Sequence, residues 1–590
     1  MTHRFRSPPL YTSLTWVGVV AVAVTTAARK LGDFDLPWHL ALGRLVATTS
    51  TIPSTDDLAY THRPIEYAEF VADLLLYGLM RFGGPLGLQI LGGLLTAGVV
   101  VILSRGTNRD RVAGTLVACS AAMAASAWMI VRPATFSFVL LGFTLLAIET
   151  HRVHVDSKRG RIALASVVPL LALWSNLHGF VVVGVVVVAV YATYRILCAV
   201  TRGRMGDWLP QRDSGDLRWV TTVALGALAA SMLNIAGPKL LFGPLRAMPD
   251  TGRITEWAPT TLRFLVIDEP AAAVFALIAV AALLFGRDPE TKRRTPPAWD
   301  VAMVALSLLL AASAVRLVAV GAILAAPVVA RRLAPVIPVT GVTRAAAAFY
   351  PFLLAAWMVL RGGTAIGVGF EPDHFPEPAV QYIRENKPSG HMWNSLVYGG
   401  YLAWRLYPEH RVLMDGRTGW VHEPRVVTLA HQSEHTANAF DTLVEEFDIQ
   451  WAVCRAFEGE QFGVPLAADQ RWVMVFWDDV SAVYVRRAGT NRSLAASGYR
   501  LMRHLTPMQV ALSLGAAGRR TTDLTHDAML AAQQAPNSPR AAFLQGCAAV
   551  GRRDGQAFGE ALDRVRTLST NPGPAVALER AWVSVSRGNR

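Results

Sequence analysis

Long apolar stretches separated by short polar turns fill the chain as far as Arg361. Many run for about 16 to 20 residues, the length that a helix needs to cross a bilayer core. The pattern predicts roughly eleven membrane-spanning helices. They are placed at about 14–28, 85–104, 112–131, 133–149, 162–175, 179–198, 219–233 and 270–285, in two short spans turning near 313–316, and at 345–361.

Basic residues concentrate in alternate loops, on the same side as the N-terminus, which carries His3, Arg4 and Arg6. Cytoplasmic loops of membrane proteins are enriched in this way. No small-residue cleavage site follows the first apolar run, so a signal anchor is favoured over a signal peptide. We therefore predict a multi-pass protein of the bacterial inner membrane, with a cytoplasmic N-terminus and everything after Arg361 on the periplasmic or extracellular side.

The predicted transmembrane domain covers residues 1–365, and its first outer loop covers 29–84. Within this loop, residues 67–82 have the spacing of an amphipathic helix. The triplet Gly83-Gly84-Pro85 should break that helix and begin the second span.

Residues 366–490 have the pattern of a small soluble α/β domain. A helix is predicted over 380–385, and short apolar runs predict strands at 411–414, 450–454, 472–477 and 482–485. Asp478-Asp479 is the predicted hairpin turn between the last two strands.

Residues 491–590 have helical spacing, with a helix pair predicted at 541–550 and 558–568. Proline-containing segments at 536–539 and 571–574 bracket the pair at roughly the tetratricopeptide period. About two such units are visible, so the tail is predicted to be a short helical repeat that binds a protein partner through residues 500–590.

Composition supports the membrane assignment, because 52% of the residues are hydrophobic and only 17% are charged. The net charge of +13 would suggest nucleic acid in a soluble protein, but here the basic residues lie in loops between spans. We therefore predict no nucleic-acid partner. The four cysteines form no Cys-x-x-Cys pair, so they do not predict a zinc site.

Ionisable and amide side chains collect at the predicted outward ends of the spans, where a charge either reaches the interface or serves a site. They are Asp33, Asp35, His39, Arg132, Asn176, His178, Lys239, Arg253, Glu256 and Arg316. A carboxylate can take a proton from an attacking hydroxyl, and cations can stabilise a departing phosphate. Asp35 is the better base candidate because Pro37-Trp38 restricts its surroundings, whereas Asp33 is assigned to orient a metal or a cation.

Each of these residues also has a structural interpretation. Asp33 and Asp35 could cap a helix that begins near Leu36, with Pro37 in its first turn. Arg132 could extend to the interface, and His178 and Arg316 could be ordinary turn residues. Aromatic-belt positions account for Trp174 and Trp257 better than sugar-stacking positions do. Asp415-Gly416-Arg417 could be a tight turn with an internal ion pair.

Several segments together resemble the bacterial GT-C membrane glycosyltransferases, and in particular a largely uncharacterised branch of them. The segments are Asp35 to Leu40 with Gly43, Ile52-Pro53 with Asp56, Arg132-Pro133, Trp174 to Gly179, Asn234 to Gly237, Glu256-Trp257, Gly399 to Trp404, and Asp415-Gly416-Arg417. The resemblance covers about residues 12–490. One departure is that Phe34 separates Asp33 from Asp35, whereas many members have adjacent acidic residues.

The resemblance implies a GT-C-like fold and transfer of a sugar from a polyprenyl-phosphate donor to an envelope glycan, lipid or protein. In some members of the superfamily the donor is instead a polyprenyl-diphosphate oligosaccharide. Asp35 matches the acidic position of the first outer loop, which in these enzymes is catalytic or binds a divalent cation such as Mg or Mn. We expect His39, Asn176, His178 and Glu256 to shape the sugar-phosphate pocket. Arg132, Arg253 and Arg316 are expected to neutralise phosphate, all of them converging with Asp35 on one pocket.

Two other functions remain open at this point. A non-catalytic scaffold for envelope polysaccharide assembly would keep the same helical shell and use its outer domains to bind partners. A transporter is less favoured, because the predicted spans are nearly free of ionisable residues at mid-depth.

Overall fold

The computed structural model describes residues 9–65, 69–105, 111–155, 157–210, 216–242, 255–289, 291–361, 363 and 365–587. It divides into two compact units. The helical unit comprises residues 1–33, 42–52 and 66–371, and the sheet unit comprises residues 34–41, 53–65 and 372–590.

Thirteen α-helices lie before residue 371 in the described part of the chain. They are α1 (Pro9–Ala27), α2 (Leu36–Thr49), α3 (Phe70–Arg105), α4 (Arg111–Ala125), α5 (Pro133–Val153), α6 (Lys158–Ala165), α7 (Val167–Ser175), α8 (Val181–Thr201), α9 (Leu217–Ala230), α10 (Pro270–Phe285), α11 (Ala298–Ser313), α12 (Val318–Leu333) and α13 (Gly341–Arg361). The first residues of α2 belong to the sheet unit and the rest to the helical unit.

Five of these helices, α1, α3, α5, α8 and α13, are long and apolar enough to cross a membrane. Three shorter apolar helices, α9, α10 and α11, accompany them. The chain is therefore a multi-pass membrane protein, and the number of eleven spans stays a prediction.

The break predicted within the first outer loop is confirmed. Helix α3 is kinked at Gly84, whose φ of 58° is open to glycine but strained for other residues, and Pro85 follows. The loop also contains helix α2. The sequence indicated this helix only through the alternative that Asp33 and Asp35 cap a helix beginning near Leu36. Tyr67, where the predicted amphipathic helix begins, lies outside the described residues.

Helix α12 of the helical unit is buried from Val318 to Arg332. Small residues allow this close packing: a β-carbon on Gly321 would lie 2.7 Å from the carbonyl oxygen of Ser307 in α11. The Ser307 hydroxyl also donates to the carbonyl of Gly321 at 2.7 Å. This contact fixes the hairpin of α11 and α12, and hence the turn that carries Arg316.

Buried ion pairs join the other ends of the same helices. Arg331 in the last turn of α12 donates to Glu149 of α5 at 2.6 Å and pairs with Asp300 in the first turn of α11. Glu149 also accepts from Arg152 one turn along α5, at 3.0 Å. These charges lie at or near helix ends and pair with one another, so they serve packing.

The sheet unit contains four strands, β1 (His391–Asn394), β2 (Ile449–Arg455), β3 (Trp472–Trp477) and β4 (Ser481–Arg486), in the order β1-β2-β4-β3. Strands β1 and β2 are parallel, and the other two pairings are antiparallel. Its helices are α14 (Glu377–Asn386), α15 (Leu396–Leu406), α16 (Thr418–Val421), α17 (Pro424–Ser433), α18 (Ala437–Glu446), α19 (Val464–Ala468), α20 (Arg492–Ala496), α21 (Met508–Ala516), α22 (Thr521–Gln534), α23 (Pro539–Arg552), α24 (Gly555–Leu568) and α25 (Gly573–Arg587).

The strand predicted at 411–414 is wrong. Its buried apolar residues resemble a strand, but the side chain of Asn394 accepts from the backbone N–H of Leu413 and donates to the carbonyl of Met414, at 2.9 Å each. Val412 forms only an isolated bridge to Ala59. The sheet instead contains β1, which is four residues long and was not predicted.

Other elements of this unit agree with the sequence. The predicted helix at 380–385, the three remaining strands, the turn at Asp478 and both helices of the predicted pair are present. Residues of β3 and of α21 to α25 pack into one hydrophobic cluster, so the described part of the helical tail shares a core with the sheet.

Candidate active site

Arg132, Arg316 and Glu256 of the helical unit lie close together, each in a segment between two long helices. Glu256 accepts from Nη1 of Arg132 with its two carboxylate oxygens at 3.3 and 3.5 Å. Nη1 of Arg316 lies 3.7 Å from Oε2 of the same carboxylate. The Arg132 and Arg316 side chains are 5% and 16% exposed, whereas Glu256 is 33% exposed. The carboxylate thus bridges two largely buried guanidinium groups.

Local backbone structure brings these residues together. Arg132 is extended and directly precedes Pro133, the first residue of α5. The N–H of Val315 donates to the carbonyl of Ala258 at 3.0 Å, and the hydroxyl of Thr260 donates to the carbonyl of Ala311 at 2.6 Å. These two bonds fasten the segment after Glu256 to the turn that carries Arg316.

Aromatic rings hold both guanidinium groups. Arg316 lies over Trp257, 4.5 Å from the ring centre, and 5.3 Å from the ring centre of Phe180. Arg132 lies 5.3 Å from the ring centre of Trp128. Such contacts favour a planar cation and limit its rotation. Trp257 is therefore a partner of Arg316 in addition to any role at the interface.

His178 is the fourth member of this cluster. Its Nδ1 accepts from the N–H of Phe180 at 3.2 Å and lies 2.9 Å from Oγ of Ser137. Because the Ser137 oxygen accepts from Trp174 at 2.8 Å, its own hydrogen is available for Nδ1. This network places the imidazole hydrogen on Nε2.

Glu69 faces the Nε2 side of His178. One of its carboxylate oxygens lies 3.7 Å from Nε2 and accepts from the N–H of Gly179 at 3.1 Å. The sequence placed Glu69 in the first outer loop but did not select it as a site residue. No signal in the sequence indicated that this carboxylate lies beside the Trp174 to Gly179 segment.

Burial and charge set the protonation of this cluster. Burial lowers the pKa of His178 well below its usual value, and the charges of Arg316 and Arg132 lower it further. For Glu256, burial alone would raise the pKa, but Arg132 and Arg316 reverse the effect and lower it. At neutral pH the cluster therefore contains a neutral imidazole, an ionised carboxylate and two guanidinium cations.

Three other predicted residues have different surroundings. The amide nitrogen of Asn176 donates to the carbonyls of Ala172 and Leu233 at 2.9 and 2.7 Å, so it joins α7 to the end of α9. The indole of Trp174 is buried, so neither the belt nor the sugar-stacking interpretation applies to it. Arg253 lies outside the described residues.

Asp35 and His39 belong to the sheet unit, whereas Asp33 belongs to the helical unit. The carbonyl of Asp35 accepts from the N–H groups of Trp38 and His39 at the start of α2, and Oδ1 accepts from Nε1 of Trp38 at 3.2 Å. His39 is buried, with its ring centre 3.5 Å from that of Trp38. Convergence of Asp35 with the arginine cluster stays a prediction.

A buried ion network lies in the Asp415-Gly416-Arg417 turn of the sheet unit. Arg417 donates to Oδ1 of Asp415 at 2.8 Å and to Oδ1 and Oδ2 of Asp56 at 2.9 and 3.0 Å. His422 lies 3.4 Å from Asp415. Burial alone would raise the pKa of Asp415, but Arg417 and His422 hold it well below its usual range. The ion pair predicted within this turn is present, and it extends to Asp56.

The described residues do not bring three acidic, histidine or cysteine side chains together in a group that could hold a metal ion. Asp35, the predicted metal candidate, instead accepts a hydrogen bond from Trp38. The part of the chain that the structure describes therefore does not supply a ligand set for Mg or Mn.

Neither family models nor curated proteins match the chain. Among solved structures, the oligosaccharyltransferase AglB from Archaeoglobus fulgidus, in complex with an inhibitory peptide and a dolichol-phosphate, aligns with a TM-score of 0.51 and 13% identity over 76% of this chain and 69% of its own. The apo oligosaccharyltransferase from the same organism gives 0.50 and 14% over the same shares. ArnT from Cupriavidus metallidurans bound to undecaprenyl phosphate gives 0.46 and 13%, over 81% and 98%. The chain therefore has the fold of the GT-C membrane glycosyltransferases.

Proposed function

We propose that the protein transfers a sugar from a polyprenyl-phosphate carrier to an acceptor of the cell envelope, on the outer face of the bacterial inner membrane. The observation that carries the proposal is the pair Arg132 and Arg316, which share Glu256 within a GT-C fold. Two guanidinium groups held on aromatic rings are suited to an anionic phosphate oxygen. AglB of the same fold was solved with a dolichol-phosphate, which supports a lipid phosphate as the ligand.

In the proposed reaction, an acceptor hydroxyl attacks the anomeric carbon of the lipid-linked sugar. Its oxygen forms the new glycosidic bond while the bond from the anomeric carbon to the phosphate oxygen breaks. Asp35 takes the hydroxyl proton, and the electron pair leaves with the polyprenyl phosphate. Arg132 and Arg316 stabilise the negative charge that develops on the leaving group, and Nε2–H of His178 donates a hydrogen bond to the phosphate or the sugar.

The other predicted residues take supporting roles in this proposal. Asn176 positions the segment that carries His178, and His39 packs behind Trp38. Asp33 orients a cationic side chain, and Arg253 adds positive charge for phosphate. The acceptor is an envelope glycan, lipid or protein held by the sheet unit, and the helical tail binds a protein partner.

The central experiment replaces the proposed base. Membranes containing the wild type or Asp35→Asn receive a panel of radiolabelled polyprenyl-phosphate sugars together with an envelope extract as the acceptor source. We expect label transfer and polyprenyl-phosphate release to fall by at least about a hundredfold in the variant, which is the usual scale for loss of a general base. Asp57→Asn is the matched control, because this half-buried aspartate lies in the same loop.

Unchanged transfer by Asp35→Asn would contradict the catalytic assignment. Normal envelope assembly in the Asp35→Asn strain, together with no detectable transfer by the wild type, would favour the scaffold function instead. Membrane insertion and thermal unfolding of each variant are measured in parallel, so that loss of folding is recognised.

A further inference from the structure

A Gly-Arg-Arg triplet occurs twice in the helical tail, at 518–520 and at 551–553. The first triplet lies between α21 and α22, and the second lies where α23 ends and α24 follows. In both triplets the second arginine has a left-handed backbone, with φ of 50° at Arg520 and 56° at Arg553. The two triplets therefore form equivalent turns of the helical tail.

The two turns pack side by side. A β-carbon added to Gly551 would lie 3.3 Å from Cγ2 of Thr521, the residue directly after the first triplet. Nη1 of Arg552 in the second triplet donates to Oγ1 of Thr525 in α22 at 3.0 Å. Exposed arginine side chains of both turns therefore lie on one part of the surface. This arginine surface consists of Arg500, Arg519, Arg520 and Arg552.

Arginine is not the residue that best fits a left-handed backbone. Glycine is the usual residue in this conformation at the end of a helix, because it has no β-carbon to clash with the neighbouring carbonyl. The two turns nevertheless place arginine there, at Arg520 and at Arg553. Folding of the turns does not account for these side chains, which indicates a function at the surface.

The four arginines of this surface outnumber the two aspartates beside them. Arg500 and Arg520 approach the carboxylate of Asp523 at 3.4 and 2.9 Å, and Arg552 lies 3.6 Å from the carboxylate of Asp554. The three arginine side chains are 47%, 58% and 36% exposed. Ion pairs with this exposure contribute little to stability, because water solvates both groups well. Carboxylates of another molecule can therefore replace the two aspartates at little cost.

The chemistry of the two turns favours an acidic peptide as the ligand. Residues 516–523 and 551–554 are only Ala, Gly, Thr, Asp and Arg, so they offer no aromatic or large apolar side chain for insertion into a bilayer. The guanidinium groups already pair with carboxylates, those of Asp523 and Asp554. We propose that the arginine surface binds an acidic segment of a protein partner, whose Asp and Glu side chains take the place of these aspartates. The proposal rests on the proposed function in one respect, that the helical tail binds a protein.

The test measures binding of a fluorescent oligoglutamate peptide to the full-length protein in phosphatidylcholine nanodiscs, with a Gly-Ser peptide of the same length as the uncharged reference. Arg519→Gln combined with Arg552→Gln should weaken oligoglutamate binding by at least about fivefold and reduce its dependence on salt. Arg471→Gln combined with Arg566→Gln is the matched control, because both arginines are exposed and pair with carboxylates elsewhere in the same unit. The control variant should bind the peptide as the wild type does.

Arg520→Gly separates binding from folding. Glycine relieves the left-handed backbone, so the unfolding midpoint should not fall, whereas peptide binding should weaken by at least about twofold.

Equal oligoglutamate binding by the wild type and the double variant, or equal binding of the two peptides, would overturn the proposal. Polygalacturonate and phosphatidylglycerol vesicles are tested as competitors, and tighter binding of either one than of oligoglutamate would overturn it in favour of an acidic glycan or a lipid surface. Label transfer is measured in parallel, so that loss of the proposed glycosyl transfer is recognised separately from loss of peptide binding.

Discussion

Gly416 lies directly against the carboxylate of Asp35, although 381 residues separate them in the sequence. A β-carbon added to Gly416 would be 2.5 Å from Oδ1 of Asp35 and 3.4 Å from Nε1 of Trp38. Gly400 is similarly close, because its β-carbon would lie 3.2 Å from the β-carbon of Trp38. Because both positions are glycine, they leave room for the carboxylate of Asp35, the proposed base, and for the Trp38 indole that donates to it.

Gly416→Ala should therefore reduce transfer without unfolding the protein. Gly416 is exposed, and the added methyl group meets the end of a movable side chain, so the cost in stability is small. The carboxylate must rotate away, and a displaced base loses rate steeply with distance. We expect a fall in kcat of at least about tenfold with little change in Tm, measured by label transfer and thermal unfolding.

Gly559→Ala is the control for this prediction, since it lies in α24 with open space around its β-carbon position. It should leave both activity and Tm close to the wild-type values. Full activity in Gly416→Ala would show that the position of the Asp35 carboxylate does not matter for transfer.

Arg417 should be essential for the stability of the sheet unit. Its guanidinium group is buried between Asp415 and Asp56 and donates to both. Arg417→Met would leave two buried carboxylates without a cation, a change that typically destabilises by about 3–5 kcal/mol. Chemical unfolding of the detergent-solubilised protein, followed by pulse proteolysis of the sheet unit, measures the loss.

Arg425→Met provides the comparison, because Arg425 and its partner Glu446 are half exposed to solvent. Water already solvates both groups, so we expect no measurable change in stability. Equal stability of Arg417→Met and Arg425→Met would mean that the buried network can be replaced by apolar packing at no cost.

The turns of the helical unit could be predicted from the sequence, because each lies where an apolar run stops at a polar or proline-containing segment. Arg132-Pro133 before α5 and Arg316 between α11 and α12 were placed in this way. Their pairing could not be predicted. Glu256 and Arg132 are 124 residues apart, and no local sequence pattern predicts that their two turns pack against each other.

The sheet unit shows a second limit of sequence patterns. Strands β2 to β4 were predicted because each is a run of β-branched and aromatic residues bounded by turns. The run at 411–414 has the same appearance, but its backbone forms hydrogen bonds with the side-chain amide of Asn394. The contact between Arg417 and Asp56 spans 361 residues, so the sequence indicated an ion pair within the turn and gave no indication of the third partner.

Stability of the sheet unit should decrease as pH rises through a window set by Glu434. Burial raises the pKa of this carboxyl to about 7, although hydrogen bonds from Ser395 and Gly463 act in the opposite direction. The unfolded chain releases this proton near its ordinary pKa of about 4.5, so the folded state holds more protons between these values. The contribution of Glu434 to the free energy of unfolding is therefore fully present below about pH 4.5 and is lost as the pH rises through about 7.

Glu434→Gln removes this titration while keeping an oxygen that can accept from Gly463, which donates to Glu434 at 3.1 Å. Relative to the variant, the wild type should lose on the order of 3 kcal/mol between pH 4.5 and 8. The difference in unfolding free energy between the two proteins isolates Glu434 from Asp478 and His504, whose pKa values burial shifts to about 6 and about 4. A difference that is constant with pH would contradict the assignment.

Deleting residues 500–590 should unfold the sheet instead of releasing an intact domain. The side chain of Gln534 in α22 accepts from the N–H of Trp477 at 3.1 Å and donates to the carbonyl of Val475 at 2.8 Å. Leu524 and Phe543 pack in the same hydrophobic cluster as Trp472 and Met474. Loss of these helices would expose β3, and exposed apolar strands are poorly stable and prone to aggregate.

A chain that ends at residue 499 is therefore expected to show protease-sensitive strands and strong binding of a hydrophobic dye. This outcome would make the truncation unsuitable as a test of the scaffold function, because any partner would be lost with the fold. Substitutions of exposed tail residues, Met529→Ser and Val583→Ser, leave the core intact and test partner binding directly. Protection of β3 at the wild-type level in the truncated chain would show that the sheet folds without the tail.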